Sequence, residues 1–274
     1  MDERTNSARW VDRSIWEDFA CLMSQVSLGV KLYAARLSEL RRNSGLGFWA
    51  PFLSILVHVS LLGSVMSLVF NEPIREFMPF FAVSFALWQG LSIHVSESAN
   101  SNERAAQLLS FPYISGFMTH FVNILEFYFA LFFKFVAVLI VILVVNPGVI
   151  AGMNPPAFLF GFALVGLLMF AWSLPISCLF DYFRMLRGFL PQLLFAVYLV
   201  TPILWNPERL SEHLWVVNLN PVYHVIEIVR APLLQGSWPG TSIAVVAALC
   251  ALGWLASMLT FKTNRRLIVF RWVA

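Results

Sequence analysis

The chain has 274 residues, of which 59% are hydrophobic and only 12% charged, with a net charge of +3. A soluble domain carries about 25% charged residues, so the charges here are too few to cover a water-facing surface of this size. An ordinary soluble fold is excluded on those grounds, and a charge balance this small gives no reason to expect a nucleic-acid partner. Cys21, Cys178 and Cys250 lie far apart with no Cys-x-x-Cys pair or Cys/His cluster near them. Neither a disulfide framework nor a metal site is expected.

The first residues, MDERTNSARW, are polar and have no apolar core behind a basic start, so no cleavable signal peptide is expected. Residues 1–46 read as a tail and an interfacial helix. Phe19, Leu22, Met23, Val26, Val30, Tyr33, Leu37 and Leu40 recur at steps of three or four, while Gln25, Lys31, Arg36, Arg41 and Arg42 avoid that stripe. An interrupted apolar stripe of this kind suits a helix lying in the membrane interface or packed on a soluble partner.

A bilayer core about 30 Å thick needs roughly 20 apolar residues in a helix, and unsatisfied backbone groups in lipid leave helices as the expected solution. Six runs qualify, at 47–70, 77–96, 116–145, 157–180, 188–205 and 241–261. The expectation is an all-α membrane domain, its six-span bundle covering 47–261 and a short tail covering 262–274. Lys and Arg accumulate on the cytoplasmic side. With both termini inside, that side holds Arg4, Arg9, Arg13, Lys31, Arg36, Arg41, Arg42, Arg104, Arg184, Arg187, Lys262, Arg265, Arg266 and Arg271. The outer side holds Arg75, Arg209 and Arg230. No internal repeat with paired broken helices is visible, which speaks against an ion-coupled carrier.

Ionisable residues inside a span default to a functional or pairing role. Span three contains Glu126 and Lys134, eight residues and about 12 Å apart, too far to pair directly. Lys134 either lines a pathway and meets a substrate phosphate or bonds a carbonyl or carboxylate. On span five, Pro191, Phe195, Tyr198 and Pro202 share a face with Gln192 alongside, and on span one Phe48, Trp49, Phe52 and His58 are further candidates. Aromatic faces of this kind stack on sugar rings and tolerate a wet wall, although with 26 Phe in the chain most rings must simply pack. His58, His94 and His120 lack metal-ligand spacing and read as hydrogen-bonded packing residues.

The outer stretch 206–240 is too polar to span and too apolar to float in water. Asn220-Pro221 is a helix start, since Asn caps and Pro occupies a first turn whose N–H has no partner anyway. Val222, Ile226, Val229 and Leu233 then line one face; Tyr223, Glu227 and Arg230 line another, with His224 beside them. Short re-entrant helices with a polar face at the exit of a pathway fit this pattern, as does a periplasmic cap held by an ordinary Glu227–Arg230 pair.

NPVYHVIEIVRAPLLQG at 220–236 resembles the NP…H.IE..R.PLL segment of ABC-2 permeases that export O-antigen polysaccharide. VTPILW at 200–205 is similar to the TPI.W at the end of their fifth span. LRRNSGLGFWAPF at 40–52 is similar to their basic junction before the first span, with the aromatic cluster slightly early. The resemblance implies a homodimeric permease in the bacterial inner membrane, working with two copies of a separate ATPase subunit on a lipid-linked polysaccharide. In that family the loop between spans two and three is the coupling helix that docks on the ATPase, which carries Glu103, Arg104 and Gln107 over by position. Asp181, Arg184 and Arg187 are candidates to join that contact.

The residues agree from their own side, since no GxxxxGK[ST] exists to cradle ATP phosphates. Any ATP and Mg would sit on the partner, with no cofactor in this chain. Capsule or teichoic acid exporters and ABC-2 drug or lipid exporters share the expected fold. An intramembrane enzyme is disfavoured, because the four aspartates, Asp2, Asp12, Asp18 and Asp181, all lie outside the spans.

Overall fold

The computed structural model describes residues 13–43, 49–104, 113–207 and 213–268, without the side chains of 40–43 and 265–268. Among the described residues all regular structure is helical. Helix α1 (Ile15–Ser24) opens on a reciprocal cap, in which Ser14 Oγ accepts the Glu17 N–H at 3.2 Å and the Glu17 carboxylate accepts the Ser14 N–H at 2.8 Å. The chain then breaks at Gln25 before α2 (Val26–Asn43). The Gln25 side chain clamps the segment before span three, donating from Nε2 to the Tyr113 carbonyl at 2.7 Å and accepting the Ser115 N–H at 3.2 Å.

The single interfacial helix expected from the stripe is therefore two helices, and the break resets the helical phase. Phe19 and Leu22 pack inward with Phe117 and Met118, whereas Met23, Val26 and Val30 are exposed. The inner face of α2 takes in Leu28, Gly29 and Leu32 together with Tyr33 of the expected stripe, whose ring packs 5.9 Å from that of Phe129. At Gly29 a Cβ would stand 2.6 Å from the Phe121 ring.

Five helices are long and apolar enough to cross a membrane. They are α3 (Ala50–Phe70), α4 (Ile74–Ala99), α5 (Met118–Val145), α6 (Pro155–Tyr182) and, further along, α9 (Gly240–Ile268) over its portion Gly240–Asn264. Between α6 and α9 lie the shorter helices α7 (Leu186–Val200) and α8 (Pro221–Leu234), with a five-residue helix at Leu214–Asn218 between them. The run expected as span five is thus a 15-residue helix, about 22 Å long and short of the roughly 30 Å hydrocarbon core. It stops because Thr201 turns extended, its hydroxyl bonding back to the Val197 carbonyl at 2.7 Å, and Pro202 cannot continue the ladder.

In lipid, helices associate through close packing and hydrogen bonds rather than through the hydrophobic effect. Helix α4 runs through the middle of the bundle with most of its length buried, while α3 and α9 keep most of theirs outward. Helices α6 and α9 run side by side. Trp172 donates to the Leu249 carbonyl at 3.0 Å over the gap left by Gly253, and Ser257 donates to the Ala171 carbonyl at 2.8 Å. Helix α8 starts against Leu168 and Met169 near the middle of α6 and ends where Asn154, at the start of α6, bonds the Pro232 and Gly236 carbonyls.

Gly161 is where α6 and α8 touch backbone to backbone, and a Cβ there would lie 2.1 Å from the Ile228 carbonyl oxygen. Because the obstacle is backbone, Gly161→Ala is expected to push α8 outward and lower stability by about 1–3 kcal/mol. A melting curve of the purified variant checks this, and a wild-type midpoint would mean that the contact does not set the position of α8.

Candidate functional site

Three polar or aromatic regions stand out on the bundle. A groove of about 490 Å³ crosses α4 between α3 and α7. Trp88, Ser92 and Ser96 recur at every fourth residue of α4 and so share the face that floors the groove. His58 on α3 stacks on Phe85 at 5.6 Å and bonds the Ser54 carbonyl through Nδ1 at 2.7 Å. From α7, Tyr198 stacks on Trp88 at 5.9 Å, and Phe195 beside it is 62% exposed. Glu97 closes the inner end. The other flank of α7 faces a second groove of about 440 Å³ whose wall is almost wholly apolar, with Leu168, Trp172, Leu190 and Val225 among its lining. Helix α7 thus stands between an amphipathic aromatic groove and an apolar one.

Of the residues expected to form a conduit, Phe195, Tyr198, Pro191 and His58 meet in the first groove. Gln192 is exposed on a neighbouring face and lines neither groove. Phe52 turns the other way, its ring 5.7 Å from Trp49, which in turn lies 5.8 Å from Phe133 of α5. Lys134 is buried between α4 and α5, outside this groove.

The second region is a knot centred on Arg230, whose side chain is 4% exposed. Its Nε bonds the Glu227 carboxylate at 2.9 Å; its Nη1 donates to Ser84 Oγ on α4 at 3.0 Å and to the Pro202 carbonyl after α7 at 3.1 Å. The guanidinium also lies 4.3 Å above the Phe80 ring and 5.7 Å from that of Tyr223, a placement that favours Arg over Lys. Asn220 caps α8 as expected, accepting the Val222 N–H at 3.0 Å, and its amide donates to Thr201 Oγ1 at 3.0 Å. His224 is buried, bonded through Nδ1 to Ser242 Oγ at 2.9 Å and through Nε2 to the Asn218 carbonyl at 2.8 Å. One motif thereby ties α8 to α4, to the end of α7 and to α9.

The third region, at the opposite end of the bundle, is a layer of charges. Arg36 of α2 reaches Glu126 at 3.2 Å, Glu97 at 3.8 Å and Asn123 Oδ1 at 3.2 Å, and Arg104 pairs with the same Glu97. Tyr33, next to this group, has its phenol pushed up to about 12 by burial and by Glu126, so it remains a neutral donor. Arg187 bridges Glu103 at 2.8 Å and the buried Asp181 at 2.5 Å, while Asn102 donates to Asp181 at 2.7 Å and to Asn264 at 2.6 Å. Glu103 and Arg104 therefore lie at the junction of the α4 end with α2, α6 and α7. Gln107 lies outside the described residues.

Sequence reasoning missed Trp88, Ser92 and Ser96, although their four-residue spacing was visible. It also missed Asp18, whose carboxylate accepts the Gly116 N–H at 2.9 Å and the Ser115 hydroxyl at 3.0 Å across more than ninety residues of chain. Of the three histidines expected to be hydrogen-bonded, His94 meets Ser173 at 2.9 Å, but neither nitrogen of buried His120 has a partner among the described residues. Among those residues no group of three or more His, Cys, Asp or Glu could hold a metal. No family model matches the chain, and no curated protein sequence matches it.

Removing Arg230 alone strands the Glu227 carboxylate in a buried site, so Arg230→Ala is expected to lower stability by about 3–5 kcal/mol. The double variant Glu227→Gln/Arg230→Met removes both charges and is expected to recover most of that loss. Detergent melting curves of the two decide the matter, and a single variant as stable as wild type would reduce the knot to an incidental surface pair.

Proposed function

We propose that the chain is the membrane-spanning permease subunit of an ABC exporter, moving a lipid-linked polysaccharide of the O-antigen type outward across the bacterial inner membrane. ATP hydrolysis takes place on two copies of a separate ATPase subunit, and two copies of this chain form the conduit. The observation that carries the reading is the placement of α7 between two unlike grooves. Rings and hydroxyls on one flank suit the C–H faces and hydroxyls of a sugar chain, and the aliphatic wall on the other suits a hydrocarbon tail. A cargo joined from those two chemistries fits both at once; a capsular or teichoic acid glycan on a lipid carrier has the same two-part character.

In this reading both termini are cytoplasmic, in keeping with the distribution of Lys and Arg. Helix α7 makes the sixth crossing together with the segment that follows it, and α8 is re-entrant from the outer face. Irregular backbone near the membrane centre is tolerated where protein buries it or water fills the space beside it. The Arg230 knot then closes the outer end of the pathway, with Tyr223, His224 and Glu227 as parts of the same gate. At the inner end, Glu103 and Arg104 begin the segment that receives the ATPase stroke, and Arg187 passes it to α6 and α7.

The decisive experiment is deletion of the gene followed by identification of lipid-linked glycans on the cytoplasmic side. A glycan that accumulates there and disappears from the cell surface is expected, and an unchanged glycan profile would sink the reading. Within a complementing strain, Phe195→Ala/Tyr198→Ala is expected to slow export several-fold with normal protein levels, measured as surface glycan per cell over time. Glu103→Arg and Arg187→Glu are each expected to reduce export while ATP hydrolysis by the complex continues, and the charge-swapped double variant to restore part of it. Full export by both single variants would remove this bridge from the coupling path.

A further inference from the structure

Between α4 and α5 lies a cavity of about 110 Å³ that shares Ile93 and Glu97 with the aromatic groove. Its lining includes His94 and Glu97 from α4, and Asn123, Glu126 and Lys134 from α5. Lys134 is 2% exposed, yet its ammonium has no hydrogen-bond or ionic partner among the described residues. Lys134 lines the cavity together with Asn123 and Glu126 of the same helix. Asn123 is 3% exposed; its Oδ1 accepts from Arg36, which fixes the amide orientation and leaves Nδ2 a donor with no partner.

Both carboxylates beside them are already engaged, Glu126 by Arg36 and Glu97 by Arg36 and Arg104. Three cations therefore stand against two carboxylates, and what remains unmatched is one positive charge and a set of N–H donors. An unpaired ammonium in this setting is costly unless something accepts its hydrogen bonds. A partner that satisfied these donors would be rich in acceptor oxygens and carry negative charge, and the shared Ile93 and Glu97 set the cavity beside the groove.

We propose that this cavity is an oxyanion subsite that takes the phosphate group of a membrane-borne lipid, with Lys134 and Asn123 as its donors. Such a phosphate enters as a monoanion or partly protonated group, matching the single surplus charge and leaving the Arg–Glu pairs intact. The proposal deepens the exporter reading, on which it rests only for the view that the phosphate belongs to the cargo. A bilayer phospholipid offers the same chemistry.

The test is equilibrium binding of labelled farnesyl phosphate to the full chain in phosphatidylcholine nanodiscs, which requires no transport and no ATPase. Wild type is expected to bind. Lys134→Met, which removes an unpaired buried charge and should fold at least as well, is expected to weaken binding roughly tenfold or more, a charge-assisted hydrogen bond being lost. Asn123→Asp keeps the acceptor for Arg36 but replaces the free donor with negative charge, and is expected to weaken binding as well. Lys134→Arg is expected to fall between wild type and Lys134→Met.

Excess phosphatidylglycerol in the disc separates the two sources. If it fails to displace the probe the site prefers an isoprenoid phosphate, and if it displaces the probe the site takes a phospholipid headgroup; both uphold the oxyanion subsite. Equal binding by wild type and Lys134→Met, or no binding by wild type, overturns it and leaves a cavity holding water alone. Because the readout is binding, intact phosphate affinity in a chain whose deletion leaves glycans unchanged would reject the exporter reading while retaining the subsite.

Discussion

A charged group removed from water must find an opposite charge or a full set of hydrogen bonds, because leaving it bare costs several kcal/mol. In a chain with so few charges, the positions of those that remain govern how the helices meet. Arg230 draws Glu227, Ser84, the Pro202 carbonyl and two aromatic rings around itself. That demand holds α8 against α4 and fixes where α7 ends. Asp18 does the same at the other face, pulling the N-terminal helix pair onto the start of α5. Apolar packing fills the space between these anchors but does not choose their positions, since Leu and Phe are equally content against lipid.

The shortness of α7 follows from this arrangement and produces the two grooves beside it. A helix stopped at Thr201 by its own hydroxyl and the following Pro202 leaves backbone near the middle of the bundle that needs partners. Asn220 and Arg230 supply them, through the Thr201 hydroxyl and the Pro202 carbonyl. A full-length span could have closed onto α4 and α6 along its whole length. The truncated one stands off, with a groove on either flank.

Much of this architecture was legible beforehand, and the failures have physical causes. Long apolar runs identify α3 to α6 and α9 because twenty consecutive apolar residues have few other uses. The cap at Asn220 and the Glu227–Arg230 spacing were readable for the same reason: both are local. What escaped were contacts between residues distant in sequence, such as Asp18 with Ser115, Arg36 with Glu97 and Glu126, and Arg187 with Glu103. Gln25 shows the limit most plainly. As one polar residue off an apolar stripe it looked like solvent-facing decoration, yet its amide clamps residues 113 and 115 and breaks the helix. Run length also misled at 188–205, where apolarity continued past the point at which Thr201 and Pro202 ended the helix.

The two ends of the bundle are built from different kinds of contact, and the difference bears on motion. At the end that carries the start of α6, Gly161 brings backbone against backbone and Gly236, at φ +66°, meets the Gly152 carbonyl so closely that no side chain fits. Contacts of that kind are steeply repulsive and do not slide. At the opposite end the buried Asp181 and Asp18 bonds stand beside ion pairs with partly exposed partners, Arg36 with Glu126 and Glu97, and Arg104 with Glu97. Each such pair is worth only about 0–1 kcal/mol and can exchange partners at little cost. Glu97 already serves two arginines from different elements while lining both the groove and the side cavity. A displacement of Glu103 and Arg104 would redistribute these pairs first and then load the buried bonds of Asp181 to Arg187 and Asn102. The exchangeable ion pairs and the close backbone contacts therefore lie at opposite ends of the bundle.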